Sequence, residues 1–331
     1  MEVFIDIALL TLLCITAMAV VHIRKLFCAI MLLGIFSLLS ASMFVNMDAV
    51  DVAFTEAAVG TGISTILLLL GMSLTNTREK RPHYQPLFSL VVVSITGAVL
   101  VYGTMDLPAY GDPNASIHHH VAQRYIKQSP LEVGPPNMVT SVLASYRGYD
   151  TLGETAVILT AGMALVALLG MRRRKVLPMS SSSGCGDYHD MKDHLVLRIM
   201  AKIFIPLILL FALYVQFHGD YGPGGGFQAG VIFASGIILY ALIFGLEAAM
   251  KVVGYPVLRV LAACGLLLYG GVGVACMALG GNFLDYNALA HDPLHGQHLG
   301  IFLIELGVGV TVFAIMVIMF YAFASRRGHT A

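Results

Sequence analysis

Tryptophan is absent and charge is scarce. Of 331 residues, 11% are Asp, Glu, Lys or Arg, against about 25% in a soluble globular domain. With 58% of the chain hydrophobic, a water-soluble fold has too little polar surface to cover its apolar residues, so a soluble domain is excluded. Without Trp, any aromatic belt at the membrane surface must come from Tyr and Phe. The formal net charge is zero, which removes the basic footprint of a nucleic-acid binder. The five cysteines (Cys14, Cys28, Cys185, Cys264 and Cys276) include no C-x-x-C pair, and four of them lie in apolar runs as small hydrophobes do. No Ser-His-Asp or Cys-His arrangement can be assembled with any specificity, and no haem, iron–sulfur or quinone motif is found. The expectation is therefore a non-enzyme without a cofactor. His118, His119 and His120, and the set His291, His295 and His298, read as solvated loop histidines. Pro293 and Gly296 speak against a helix that would align the second set, so no metal site is expected.

What the chain does have is length of apolar sequence. A bilayer core of about 30 Å takes about 20 apolar residues per helix. Nine stretches qualify: Phe4 to Val21, Phe27 to Asn46, Val52 to Thr75, Leu87 to Met105, Leu152 to Met171, Leu197 to Phe217, Gly226 to Ala248, Leu258 to Gly280 and Leu299 to Ala324. The fold class is all-α integral membrane. The first run follows acidic Glu2 and lacks the basic start and small-residue cleavage site of a signal peptide, so it reads as a retained helix. Basic residues gather in alternate loops: Arg24 and Lys25, then Arg78, Lys80 and Arg81, then Arg172 to Lys175, then Lys251 and Arg259, then Arg326 and Arg327. Because Lys and Arg stay cytoplasmic, this predicts an N-terminus outside and a C-terminus inside. The polar stretch Val176 to Asp193, with four consecutive serines, reads as a flexible cytoplasmic linker. It divides the chain into a five-helix region (1–175) and a four-helix region (194–331). In the long outer loop, Met138, Val142 and Tyr146 share one helical face, which predicts a short interfacial helix.

Carboxylates inside the apolar runs are the first candidates for function. An ionisable group in hydrocarbon costs about 2.5–3.5 kcal/mol on insertion scales. Glu56, Glu154 and Glu305 each begin the pattern Glu, any residue, small residue, Val: EAAV, ETAV and ELGV. All three lie on odd-numbered helices, near their outer ends; Glu56 and Glu305 fall roughly 6–9 Å below the boundary at 1.5 Å per residue. A desolvated carboxylate suits proton exchange near neutral pH. The plainer alternative is a helix-start acid stabilised by the macrodipole, and it weighs most on Glu154, close behind Asp150. Asp6 and Asp51 also lie near outer helix ends, where they could reach the headgroup zone. Lys202 and Glu247 lie at compatible depths on the inner side and form a candidate ion pair.

GDYGPGGGFQAG, residues 219–230, sits between two hydrophobic stretches. A phosphate-binding loop needs G-x-x-x-x-G-K-[ST], and no Lys follows Gly226. The remaining reading is a tight re-entry. Pro223 fixes its own φ, the glycines take angles that other residues resist, and Gly226 and Gly230 present one bare face to a neighbouring helix. His218 and Asp220, before the loop, could relay protons or bind a cation.

These residues carry a resemblance. HGDYGPGGGFQAG is similar to the His-then-PGGGF signature of the B subunit in Mrp-type multisubunit sodium/proton antiporters, and GGNFLDYNAL and GIFLIELGVGVTV fit that same component. FTEAAVGTGISTILLLL and MVTSVLASYRGYDTLGETAVILTA resemble the C-terminal part of the large A subunit, and small subunits of membrane-bound hydrogenases. The chain thus looks like the tail of an A-type component joined to a B-type one. The resemblance implies a component of a complex exchanging Na⁺ for H⁺ in a bacterial or archaeal inner membrane, partnered by large antiporter-like subunits and small membrane subunits. It implies that Glu56 is the intramembrane carboxylate of EAAVG, that Asp150 and Glu154 are the acids of YRGYDTLGE, and that His218 and Pro223, Gly224, Gly225, Gly226 and Phe227 form the B-type loop. The alternatives left open are a membrane-arm subunit of a hydrogenase-like redox complex and an assembly scaffold.

Overall fold

The computed structural model describes residues 2–75, 77–79, 86–109, 111–169 and 195–326. The expected linker, Cys185 and the basic run 172–175 lie outside the described residues. Among the described residues, nine helices are long and apolar enough to cross a membrane, in agreement with the nine stretches read from hydropathy. They are α1 (Glu2–His22), α2 (Leu26–Asn46), α3 (Val50–Ser73), α4 (Pro86–Thr104), α7 (Gly148–Leu169), α8 (Leu195–His218), α9 (Gly226–Phe244), α11 (Tyr255–Ala278) and α12 (Pro293–Ala324). Between them lie α5 (Val121–Glu132), α6 (138–146) and α10 (Leu246–Val252).

Three local features depart from the expectation. The seventh stretch is not one helix to Ala248: α9 ends at Phe244, and Gly245, at φ +96°, turns the chain into α10. The left-handed region favours glycine, so the break belongs to that residue. The last helix starts not at Leu299 but at Pro293, with the Asp292 side chain accepting from the Leu294 N–H at 3.3 Å. A proline in the first turn gives up an N–H that would have no helical partner anyway, so Pro293 begins the helix instead of breaking it. Finally, α6 is the expected short helix, but it is not α-helical throughout. From Ser141 to Tyr146 it is wound as a π-helix, with the Arg147 N–H donating five residues back to the Val142 carbonyl at 2.8 Å. The wider turn changes the period, and Thr140, Ser141 and Ala144 are the buried positions.

The packing centres on α12. It touches α11, α9, α7, α3, α8 and α6, and 61% of its most apolar window is buried, against none for α1 and α4. Its stripe of small residues makes this possible. A methyl group built on Gly265 of α11 would lie 2.5 Å from the Gly307 carbonyl oxygen, and one on Gly307 would lie 2.7 Å from the Gly265 oxygen. Backbones this close gain dispersion and helix–helix contact that larger residues would forbid. Two fully buried tyrosines then tie the four-helix region to the preceding half: Tyr269 Oη donates to the Gly148 carbonyl at 2.6 Å, and Tyr286 Oη to the Ala144 carbonyl at 2.9 Å.

At the polar end of the molecule, Tyr146 Oη donates to Glu132, and Arg124 pairs with the same carboxylate at 3.0 Å. The Tyr146 hydrogen bond first, and Arg124 second, hold Glu132 below the ordinary carboxylate range. Burial, with the Glu132 contact, pushes the Tyr146 hydroxyl up to about 12.

This packing makes two outcomes testable. Gly265→Leu should abolish recovery of folded protein, whereas Gly271→Leu should not, because nothing lies within 4 Å of a methyl group at Gly271; size-exclusion profiles of the purified membrane protein compare them. A carboxylate with a depressed folded pKa contributes stability above its unfolded pKa and loses it as pH falls through the folded value. Amide exchange in α5 should therefore stay protected at neutral pH and rise only once the pH falls below the ordinary carboxylate range, and Glu132→Gln should remove that acid dependence.

Candidate functional site

Three of the expected carboxylates meet at one cavity of about 320 Å³. Asp51 reaches it from the first turn of α3, Glu154 from α7 and Glu305 from α12. Threonines 55, 140, 151 and 155, the amide of Gln228 and the run Gly224 to Phe227 complete much of its polar and backbone wall. The glycine loop is thus the wall of an acidic chamber, and its bareness has a direct use. A methyl group on Gly219 would lie 3.0 Å from Oε2 of Glu305, and one on Gly225 would lie 3.1 Å from Oε1. At Gly226 it would collide with the Glu305 carbonyl oxygen. The carboxylate can lie against the loop only because those side chains are missing.

Clamps from three elements hold the loop. From α3, Asp51 Oδ1 accepts from the Gly224 N–H at 2.9 Å, and Thr55 Oγ1 accepts from Gln228 Nε2 at 2.7 Å. From the start of α6, Asn137 Nδ2 donates to the carbonyls of Gly222 (3.0 Å) and Gly219 (3.3 Å), and Thr140 Oγ1 donates to the Gly219 carbonyl at 2.8 Å. From α12, His298 Nδ1 meets Asp220 Oδ2 at 2.9 Å. Gly224 itself has φ +127°, which only glycine adopts without strain. Pro223 lies in the turn just before it, and Phe227 packs partly into the core beneath.

The other expected residues lie elsewhere. Glu56 faces α2. A methyl group on Gly60 would lie 2.7 Å from Glu56 Oε1 and 2.6 Å from Ser37 Oγ, and Glu56 opens the stretch Glu56–Ser64 in which α3 is wound as a π-helix. Such bulges inside α-helices are frequent at functional sites. Asp150 points outward in an exposed ion pair with Arg147, 2.5 Å apart. His218 is exposed and stacked on Tyr214, ring centroids 4.8 Å apart, with Tyr221 at 5.9 Å. The histidine that Asp220 meets is His298. Lys202 and Glu247 are both exposed, and no ion pair joins them among the described residues: Glu247 lies beyond the Gly245 break, on α10.

Sequence reasoning misses His298, Asn137 and Thr140. Reading Pro293 as a helix breaker puts His298 in a solvated loop. The dipeptide Asp292-Pro293, an N-cap followed by a proline suited to the first turn, is the signal that places it on α12. Nothing local marks Asn137 and Thr140, since their partners are about 80 residues away in sequence.

Among the described residues, no three His, Cys, Asp or Glu side chains lie close enough to hold one metal ion. Asp51, Glu154 and Glu305 therefore share a chamber without forming a cage. On the far side of α6, Ser145 and Tyr146 line a second recess of about 580 Å³ with Arg124, Glu132, Asp285 and Asp292.

Comparison with known proteins covers both halves. Residues 196–318 match the family described as a domain related to the MnhB subunit of Na⁺/H⁺ antiporters, residues 11–77 match the D subunit of MBH, and residues 89–184 match the E subunit of MBH. A probable K⁺/H⁺ antiporter A/B subunit of Rhizobium meliloti (strain 1021) is 26% identical over 91% of this chain and 33% of its own length. The putative antiporter subunit mnhB2 of Staphylococcus aureus (strain Newman) is 34% identical over 41% of this chain and 98% of its own length. Among solved structures, the Mrp complex from Dietzia sp. DQ12-45-1b aligns with 96% of this chain and 34% of the matched chain, at 26% identity and a TM-score of 0.77. The membrane-bound sulfane sulfur reductase, an archaeal respiratory membrane complex, aligns with 71% of this chain and 97% of the matched chain, at 26% identity and a TM-score of 0.51. The chain spans about one third of the length of its Rhizobium relative. With nearly the whole of an MnhB-type subunit covered at 34% identity, and with D- and E-type regions ahead of it, the chain belongs to the MnhB family of Na⁺/H⁺ antiporter subunits.

Proposed function

We propose that this chain is a membrane subunit of a multisubunit cation/proton antiporter, joining the tail of an A-type component (1–175) to a B-type component (194–331) through the segment 176–193. Its N-terminus lies outside and its C-terminus in the cytoplasm of a bacterial or archaeal inner membrane. Large antiporter-like subunits and small membrane subunits complete the assembly. The observation that carries the reading is the convergence of Asp51, Glu154 and Glu305 from three helices on one glycine-walled chamber.

Chemically, a carboxylate serves exchange because H⁺ and Na⁺ compete for the same oxygens. When the proton leaves, the oxygens can take a sodium ion with help from threonine hydroxyls and backbone carbonyls, the hard oxygen donors that such cations prefer. The carboxylates do not form a single cage, so each acts as its own station and the ion passes between them. In this scheme Asp51 also holds the loop, through the Gly224 N–H, so its charge state is felt in the loop's position. Glu56 is a separate station between α2 and the π-wound part of α3, and Asp150 belongs to the outer rim. His218 and Asp220 stand where the loop begins, with His298 fixing Asp220.

The regions similar to the D and E subunits of MBH, and the likeness to the sulfane sulfur reductase, favour a second reading: the same chain as part of a redox-driven ion pump. Purification of the intact complex separates the two, since iron–sulfur subunits would accompany this chain only in the second.

The transport reading is tested in liposomes holding the intact complex, by following proton movement driven by Na⁺ or K⁺. Glu305→Gln should lower exchange at least about tenfold, the loss of roughly 1.4 kcal/mol of transition-state stabilisation or more, with the complex still assembled. Full exchange by an assembled Glu305→Gln complex would remove Glu305 from the route. His298→Ala should raise the half-saturating cation concentration severalfold with a smaller change in maximal rate, because it loosens the loop through Asp220; Asp220→Asn in that background should add little.

A further inference from the structure

Gln216 stands one turn below the chamber with its amide only partly accounted for. It lies on α8, three residues before Gly219, and is 8% exposed. Its Nε2 is buried without a hydrogen-bond partner among the described residues. The amide sits at the crossing of α8, α9 and α12: a methyl group on Gly309 would lie 2.6 Å from Gln216 Oε1 and 3.1 Å from the Gly226 carbonyl oxygen. Gly309 follows Glu305 by one helical turn on α12, so the amide lies level with a point roughly 6 Å further along α12 than Glu305. Gly219, which faces the Glu305 carboxylate, comes three residues after Gln216, just past the end of α8.

Energetics set this residue apart. A buried N–H without a partner is destabilising, and an apolar side chain of the same shape would remove that cost. Packing alone favours Leu or Met at this position. The neighbouring glycines, Gly226 and Gly309, let the helix backbones close on a side chain that can both donate and accept.

We propose that Gln216 is the next polar station on the route inward from Glu305, where its amide orders a water molecule that exchanges protons with the Glu305 carboxyl group. The Glu305 O–H bond breaks as the water gains that proton, and the resulting hydronium gives a proton to a second water molecule, leaving the first neutral beside the Glu305 carboxylate. The amide N–H donates to the oxygen of the neutral water, and the amide itself neither gains nor loses a proton. The inference rests on the transport reading above.

The test uses the intact antiporter complex in liposomes and reads two quantities, thermal stability and cation-driven proton movement. A structural role and a pathway role predict opposite patterns. For Gln216→Leu, the melting temperature should stay level or rise while exchange falls about tenfold. Gln216→Met, unbranched and close in length, should behave alike and decides the matter if the Leu variant does not assemble. Either assembled variant exchanging at the wild-type rate would overturn the assignment of Gln216. A wild-type complex that moves no protons in response to Na⁺ or K⁺ refutes the transport reading itself, an outcome distinct from a fast Gln216 variant.

Discussion

The crossing of α9 over α12 at Gly226 is the constraint on which the site depends. At that point the Gly226 α-carbon lies so near the Glu305 carbonyl that no side chain fits. The contact fixes the start of α9 against one turn of α12, and the loop before α9 is thereby laid across the Glu305 carboxylate. With any other residue at Gly226 the helices separate, the loop lifts, and Glu305 loses the backbone wall it lies against. Loop, carboxylate and crossing are one structural unit, although in sequence they are about 80 residues apart.

Around this unit the protein solves a solvation problem. An acidic group within the hydrocarbon must find polar company or become neutral. Asp51 does so by accepting the Gly224 N–H, Asp150 by leaving the interior for Arg147, and Asp220 through His298. Glu154 and Glu305 line the chamber with Asp51, with threonine hydroxyls and loop backbone nearby. Asp51 thus both pins the loop and lines the chamber, while Asp150 and Asp220 are held in ion pairs.

Much of the fold is legible because hydropathy reports directly on the bilayer: a run of about 20 apolar residues has few other uses. The bare face of Gly226 and Gly230 is legible too, since small residues four apart in an apolar helix favour close approach. The pairings are not. Glu56, Glu154 and Glu305 share a local pattern, yet Glu56 turns to α2 while Asp51, just over one turn earlier, reaches the chamber. The rotation between them depends on how α3 is wound, and nothing in EAAVGTGIS announces π geometry. In α6, too, nothing in the sequence announces the π winding from Ser141 to Tyr146. His298 is misplaced by a proline rule applied at the wrong end of a helix. These errors share one source, because local patterns state which residues can share a face and not which neighbour that face meets.

The winding of α3 and α6 also bears on how the chamber can work. A π-wound stretch holds its hydrogen bonds one residue further apart than an α-helix and can relax toward it by rotating the residues beyond it. Both stretches adjoin the chamber or its approaches: Glu56 opens one, and the other separates Thr140 and Ala144, on the chamber side, from Ser145 and Tyr146, on the recess side. Rotation of α6 by a fraction of a turn would exchange which of these side chains faces which space. The buried Tyr286 hydroxyl, donating to the Ala144 carbonyl, opposes that rotation, and so does Asn137 at the segment's other end. A short, pinned segment of backbone therefore lies between the recess and the chamber, with side chains lining each.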